Sequence, residues 1–211
     1  MKAVDLNHIE TIIFDLGQVI VDLDSKAVIS KLQAFSQRDD INYKELIVSS
    51  PLLQEYETGK IDGSSFREGL IELLGLKISH DTFDEIWNAM LANIPTTRLR
   101  LMERLSESHT TMILSNTNAI HEARFDEMVG EQVPGKLMKD FVHHAYYSHD
   151  IGYRKPDPSI YQYVIETHQL NPSKTLFLDD REDNITAAKT LGIMAVQVDY
   201  PDQIFEILRH E

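Results

Sequence analysis

Five short apolar runs, rich in β-branched and aromatic residues, recur along the chain and alternate with helical patterns. They are Thr11–Asp15, Thr110–Ser115, Phe141–Ser148, Thr175–Asp179 and Met194–Val198. Several are too continuously apolar to keep one face wet, which suits strands of a parallel sheet buried on both sides. Helix-like stretches at Pro158–His168, Asp183–Leu191 and Asp202–Arg209 fill the spaces around the later runs. The alternation predicts an α/β fold with a doubly wound parallel sheet.

The alternation breaks once. Between Asp15 and Thr110 no convincing strand pattern occurs, and Ser25–Phe35, Ser64–Leu74 and His80–Leu91 read as helices. Phe66, Leu70, Leu73 and Leu74 show the three- and four-residue spacing of an apolar helix face. Pro51, Gly59, Gly63 and Gly75 punctuate the stretch. The expected organisation is an all-helical insertion over residues 23–95, splitting an α/β core of residues 1–22 and 96–211. Helix Thr96–Ser106 returns the chain to the second strand.

Composition narrows the function classes. Of 211 residues none is cysteine, which removes thiolate catalysis, iron–sulfur clusters and cysteine-type structural zinc. Acidic residues number 34 against 20 basic ones, a net charge of −14. Such a balance argues against nucleic acid and against anionic membrane surfaces as partners. The polar start, MKAVDLNHIE, lacks the apolar stretch of a secretory signal, and no apolar run approaches the ~20 residues of a membrane span. A cytoplasmic protein is expected, monomeric by default with a dimer open.

In open parallel sheets ligands bind beyond the carboxyl ends of the strands. The first run ends in Asp15, the second in Ser115-Asn116 and the fourth in Asp179-Asp180. Lys155 follows the third run in Gly152-Tyr-Arg-Lys-Pro-Asp-Pro. This set reads as a magnesium-assisted phosphoryl-transfer site. A phosphate dianion approaches a carboxylate nucleophile only when its charge is neutralised. Mg²⁺ held by Asp15 and Asp180 would do so, with Lys155 as a second positive charge. The Ser115 hydroxyl and the following amides would bind phosphate oxygens at a helix start. Asp15 would attack phosphorus to form an aspartyl phosphate.

These segments resemble the four motifs of the haloacid dehalogenase superfamily. The matching residues are Phe14-Asp15-Leu-Gly-Gln-Val, Leu114-Ser115-Asn116-Thr117, Arg154-Lys155-Pro156-Asp157-Pro158 and Phe177-Leu-Asp179-Asp180-Arg-Glu-Asp-Asn184. The resemblance spans the whole chain and extends to bacterial phosphatases of α-D-glucose 1-phosphate. It implies a Rossmann-like core with a helical C1 cap that selects substrate. It makes Asp15 the nucleophile and a Mg²⁺ ligand, with the Gly17 carbonyl and the Asp180 carboxylate as the other protein ligands. Asp179 and Asn184 would act from behind these ligands, and Ser115, Asn116 and Lys155 would bind phosphate.

One position departs from the family pattern. Most family phosphatases carry an Asp two residues after the nucleophile as general acid and base; here Gly17 stands there. The same Asp-Leu-Gly arrangement occurs in the glucose-1-phosphate phosphatase subgroup. The resemblance implies a Mg²⁺-dependent phosphomonoesterase of a small phosphorylated metabolite, sugar phosphates first. The glycine keeps open a second reading, a catalytically weak member used for binding or regulation. It disfavours a phosphoglucomutase, and the Asp179-Asp180 pair disfavours a metal-free dehalogenase.

Other residues carry weaker signals. His143 and His144 are adjacent on an expected strand and point to opposite faces, and with His149 they form no regular zinc spacing. Trp87, Tyr56 and Arg67 are candidates to face substrate, but core packing or a solvated surface explains them as well.

Overall fold

A computed structural model of the chain describes residues 3–36 and 42–209. Its centre is a sheet of five parallel strands: β1 (Thr11–Phe14), β4 (Thr110–Ser115), β5 (His144–Tyr147), β6 (Thr175–Asp179) and β7 (Met194–Gln197). Their order across the sheet is β5-β4-β1-β6-β7. Chain progress therefore runs outward on both sides of β1, and the crevice where the order reverses lies at the end of that strand.

The continuous apolar runs are explained by helices on both faces. Along β1, Ile12 and Phe14 enter one core while Ile13 enters the other. β6 divides likewise, with Leu176 and Leu178 on one side and Phe177 on the opposite side. The third strand is shorter than the expected Phe141–Ser148 run. It begins only at His144, after a 3₁₀ turn at Met138–Phe141, and its end passes directly into a short helix, Ser148–Ile151.

Five helices occupy the insertion: α1 (Ser25–Phe35), α2 (Tyr43–Ser49), α3 (Pro51–Glu57), α4 (Gly63–Leu74) and α5 (His80–Trp87). Asp24, Asn42, Ser50, Asp62 and Ser79 each accept backbone N–H bonds at the start of one of them. They share a separate apolar cluster around Phe66, whose ring stacks on Tyr56 at 4.2 Å and meets Phe83 and Trp87 edge-on.

The expectation of no strand in the insertion needs correction. β2 (Asp22–Leu23) and β3 (Leu91–Asn93) form an antiparallel ribbon where the chain leaves and re-enters the core. Runs of two and three residues are too short for alternation to show. Arg98 braces this crossing from α6 (Thr96–Ser106). Its guanidinium, 4% exposed, donates to Asp22 at 2.6 Å, to Asp202 at 2.9 Å and to the Ile20 carbonyl at 3.3 Å.

Because Phe66 is fully buried at the centre of the insertion's own core, Phe66→Ala leaves a ring-sized void. Chemical denaturation is expected to show a loss of about 3–5 kcal/mol.

Candidate active site

Three strand ends meet at one level. Phe14 pairs in register with both Ile113 and Leu178, and the Asp15 N–H donates to the Leu178 carbonyl at 2.9 Å. Asp15 thus leaves β1 beside Ser115 at the end of β4 and Asp179 at the end of β6. Lys155 reaches in from the loop between α8 (Ser148–Ile151) and α9 (Pro158–His168). Here α7 (Ala119–Gln132) is the helix that follows β4. The Lys155 Nζ lies 2.8 Å from Asp15 Oδ1 and 2.6 Å from Asp179 Oδ2. Lys155 is 1% exposed and Asp179 0%. A buried ammonium is tolerated only when such partners replace its water.

Asp179 is fully engaged. Asn184 Nδ2 donates to its two oxygens at 2.9 and 3.0 Å, and the Arg181 N–H donates to Oδ1 at 2.9 Å. Its carboxylate holds Lys155 and Asn184 in place. Asn184 sits on α10 (Glu182–Thr190), 2% exposed, and its Oδ1 is left without a partner.

The Asn116 side chain holds the loop that carries Lys155. Its Oδ1 accepts from the Lys155 N–H and its Nδ2 donates to the Lys155 carbonyl, both at 2.8 Å. These two bonds clamp the Lys155 backbone at the end of β4. The expected row of amides after Ser115 narrows. Thr117 N–H donates to Ser148 Oγ at 3.1 Å, Ile120 N–H to the Tyr56 hydroxyl at 3.2 Å and His121 N–H to Asn118 Oδ1 at 3.1 Å. Ser115 itself is buried at the cavity floor.

Charge is unevenly balanced here. Burial pushes the Asp15 carboxyl up to about 7; Lys155 pulls it down and Asp179 pushes it further up. Burial alone would lower the Lys155 ammonium, but Asp15 and Asp179 more than reverse this. Burial, then Asp179, raises the Asp180 carboxyl. No side chain among the described residues pairs with the Asp180 carboxylate. Oxygens of Asp15, Asp179 and Asp180 lie within 4.8 Å of one another. An all-oxygen donor set, an unpaired carboxylate and the orphaned Asn184 Oδ1 fit a hard divalent cation.

A cavity of about 360 Å³ opens above these groups, between core and insertion. Its floor includes Asp15, Ser115, Lys155 and Asp180; its far wall includes Leu23, Val28, Ile47 and Leu53. At Gly17 a Cβ would meet Leu23 Cδ1 at 2.9 Å, so leucine fills the space beside the glycine. Among the cavity residues that sequence reasoning did not assign a role are Glu57, Arg154 and His121. Arg154 sat in the recognised motif beside Lys155; Glu57 and His121 lie on helices and carried no distinguishing pattern.

The other candidates sort clearly. Tyr56 and Trp87 are buried in the insertion's core, and Trp87 also lines the cavity. Arg67 forms a two-pronged pair with Asp84 at 2.7 and 2.8 Å, away from Asp15. His143 Nδ1 accepts from the Thr111 N–H at 3.1 Å, His144 packs on His168, and His149 faces Glu122 at 2.9 Å.

Comparison with known proteins shows the family and the fold. Residues 9–192 match the haloacid dehalogenase-like hydrolase family. A D-ribitol-5-phosphate phosphatase of Bacteroides thetaiotaomicron is 30% identical over 191 residues, covering 90% of this chain and 91% of that protein. The crystal structure of a haloacid dehalogenase family enzyme from the same species superposes with a TM-score of 0.88 at 28% identity. That match covers 96% of this chain and 99% of the other. A wild-type complex of such an enzyme with magnesium and inorganic phosphate matches with a TM-score of 0.78 at 30% identity, over 90% and 93% of the two chains.

His121 ties α7 to the insertion. Its ring stacks on Trp87 at 5.5 Å, Nε2–H donates to the Trp87 carbonyl at 3.2 Å, and Nδ1 accepts from Asn118 Nδ2 at 3.3 Å. Burial pulls the imidazole down to about 4. The unfolded chain takes up this proton near pH 6.5 and the folded chain does not, so stability falls as pH drops through that window. His121→Gln is expected to flatten the dependence between pH 6.5 and 4 by on the order of 3 kcal/mol. Denaturation of both proteins across that range checks it.

Proposed function

The chain belongs to the haloacid dehalogenase-like hydrolases, and from that premise we propose that its phosphatase site hydrolyses a sugar phosphate, glucose 1-phosphate foremost, with Mg²⁺ as cofactor. The observation that carries this reading is the Asp15–Lys155–Asp179 cluster beside the unpaired Asp180, at the floor of the cavity between core and insertion. A cavity of about 360 Å³ suits a small metabolite rather than a polymer. The ribitol-phosphate phosphatase is kin in chemistry, since its named substrate is a polyol phosphate.

The residues divide the work. Asp15 is the nucleophile: its carboxylate attacks phosphorus, the leaving oxygen departs, and water later frees the phosphoryl group from Asp15. Lys155 stabilises the charge on the transferring oxygens and keeps Asp15 aimed. Ser115 offers a hydroxyl to the phosphate, and Asn116 offers its backbone N–H while its side chain clamps Lys155. Asp15, Asp180 and the Gly17 carbonyl would hold Mg²⁺, which supplies charge neutralisation between nucleophile and phosphate. Asp179 and Asn184 orient this set from behind. The insertion acts as a cap over residues 23–95. The same reading makes the protein cytoplasmic, a monomer by default with a dimer open, and without a nucleic-acid or membrane partner. No helix among the described residues is long and apolar enough to cross a membrane.

Phosphate release from a panel of sugar and polyol phosphates and p-nitrophenyl phosphate tests the proposal. Turnover is expected with Mg²⁺, to vanish on chelation, and to fall by on the order of 10³-fold or more in Asp15→Asn. An Asp15→Asn variant as fast as the parent would overturn it.

A further inference from the structure

Breaking a phosphate monoester of an alcohol leaves an alkoxide that must gain a proton, and Gly17 has none to give. The cavity's other ionisable groups can be taken in turn. Asp15 forms the new bond to phosphorus. Lys155 is locked between two carboxylates at 2.8 and 2.6 Å. Both ring nitrogens of His121 are committed, one to Trp87 and one to Asn118. Asp180 belongs to the cation site. Arg154 and Arg181 keep their protons at any working pH. Lys44 stands exposed on α2. Glu57 is what remains.

Its placement is built, not incidental. Glu57 is the last residue of α3, and its side chain is 14% exposed. Arg154 Nη2 donates to Glu57 Oε2 at 2.9 Å. Oε1 has no partner among the described residues, and Glu57 lines the same cavity as Asp15. The turn after it is pressed onto the core. Gly59 has φ +66°, and a Cβ there would lie 2.4 Å from the His149 carbonyl. Only glycine allows so close an approach. The Thr58 hydroxyl donates back to the Gln54 carbonyl at 2.8 Å and closes the helix end. Glu57 is thereby held over the loop that carries Lys155, although it comes from the cap.

We propose that Glu57 is the general acid and base of this phosphatase, supplied by the cap in place of the residue that Gly17 lacks. The inference rests on the phosphatase reading above. In the first step the Asp15 oxygen bonds to phosphorus, the bond from phosphorus to the leaving oxygen breaks, and the Glu57 carboxyl proton passes to that oxygen, giving the alcohol. In the second, water attacks phosphorus, gives a proton to the Glu57 carboxylate and displaces Asp15. Inorganic phosphate leaves, and both side chains return to their starting state. Burial favours the protonated carboxyl that the first step needs, while Arg154 and Arg181 favour the carboxylate that the second needs.

Leaving-group dependence separates this role from a structural one. Gln can keep the hydrogen bond from Arg154 but cannot transfer a proton. With the alkyl phosphate that the parent turns over fastest, Glu57→Gln is expected to lower kcat/KM about 10²-fold or more. With p-nitrophenyl phosphate, whose phenolate departs without a proton, kcat/KM should change less than about threefold, since it reports steps only through departure of that group. An equal loss on both substrates would mean that Glu57 merely positions Arg154 and Lys155, and would overturn the proposal. So would no loss on either. Asp15→Asn, assayed alongside, reports separately on the phosphatase reading, and thermal unfolding of Glu57→Gln verifies that the variant is folded. Glu57→Asp, which keeps the carboxyl, is expected to retain the alkyl activity in part.

Discussion

The Lys155 ammonium, sealed between Asp15 and Asp179, is the interaction on which the rest of the structure converges. Its partners come from neighbouring strand ends, so it is satisfied only if β1 and β6 finish at the same level. Its backbone is clamped by Asn116, so β4 must finish there too. Asp15 and Asp179 share that one ammonium, and the half-buried Asp180 beside them has no side-chain cation of its own among the described residues. Alone, that excess is costly. The cost is the counterpart of an affinity: a cluster with more carboxylates than cations is suited to a divalent ion and hostile to a bare carboxylate neighbour.

Over this polar floor the cap lays a wall of aliphatic side chains. The apolar wall faces the charged floor across the cavity. The cap is also fastened to the core at points that matter. Tyr56 and Trp87, buried in the cap, each take a hydrogen bond from the start of α7, directly after the β4 strand end. Glu57 reaches Arg154, the residue next to Lys155. Cap and chemistry are therefore joined through short covalent paths rather than through a distant surface.

What the sequence made legible follows from how each residue earns its place. A carboxylate that closes an apolar run is visible because burial of that run predicts a strand and the fold class predicts an edge. Asp15, Ser115 and Asp179 were found in this way, and Lys155 by the rigid basic loop around it. The clamp of the Asn116 side chain on the Lys155 backbone was not legible, since an amide that holds a distant backbone carries no local mark. Helices α2 and α3 went unseen because each is seven residues long and lacks a sustained apolar stripe. Glu57 was invisible for a related reason. Its partner Arg154 lies almost a hundred positions away, and nothing local marks a helix-terminal glutamate as buried.

The two-stranded ribbon of Asp22–Leu23 and Leu91–Asn93 bears on how such a chain assembles. The central pairing of β1 with β4 joins segments separated by about 95 residues, a wide loop to close. When the inserted helices gather around Phe66 and draw the ribbon together, the loop that the sheet still has to close shrinks to about 25 residues, an entropic saving of about 1.2 kcal/mol. Topologically the insertion is then an overgrown hairpin turn. The sheet needs only that its two ends arrive side by side, and whatever lies between them is free to be remodelled without reteaching the core how to fold.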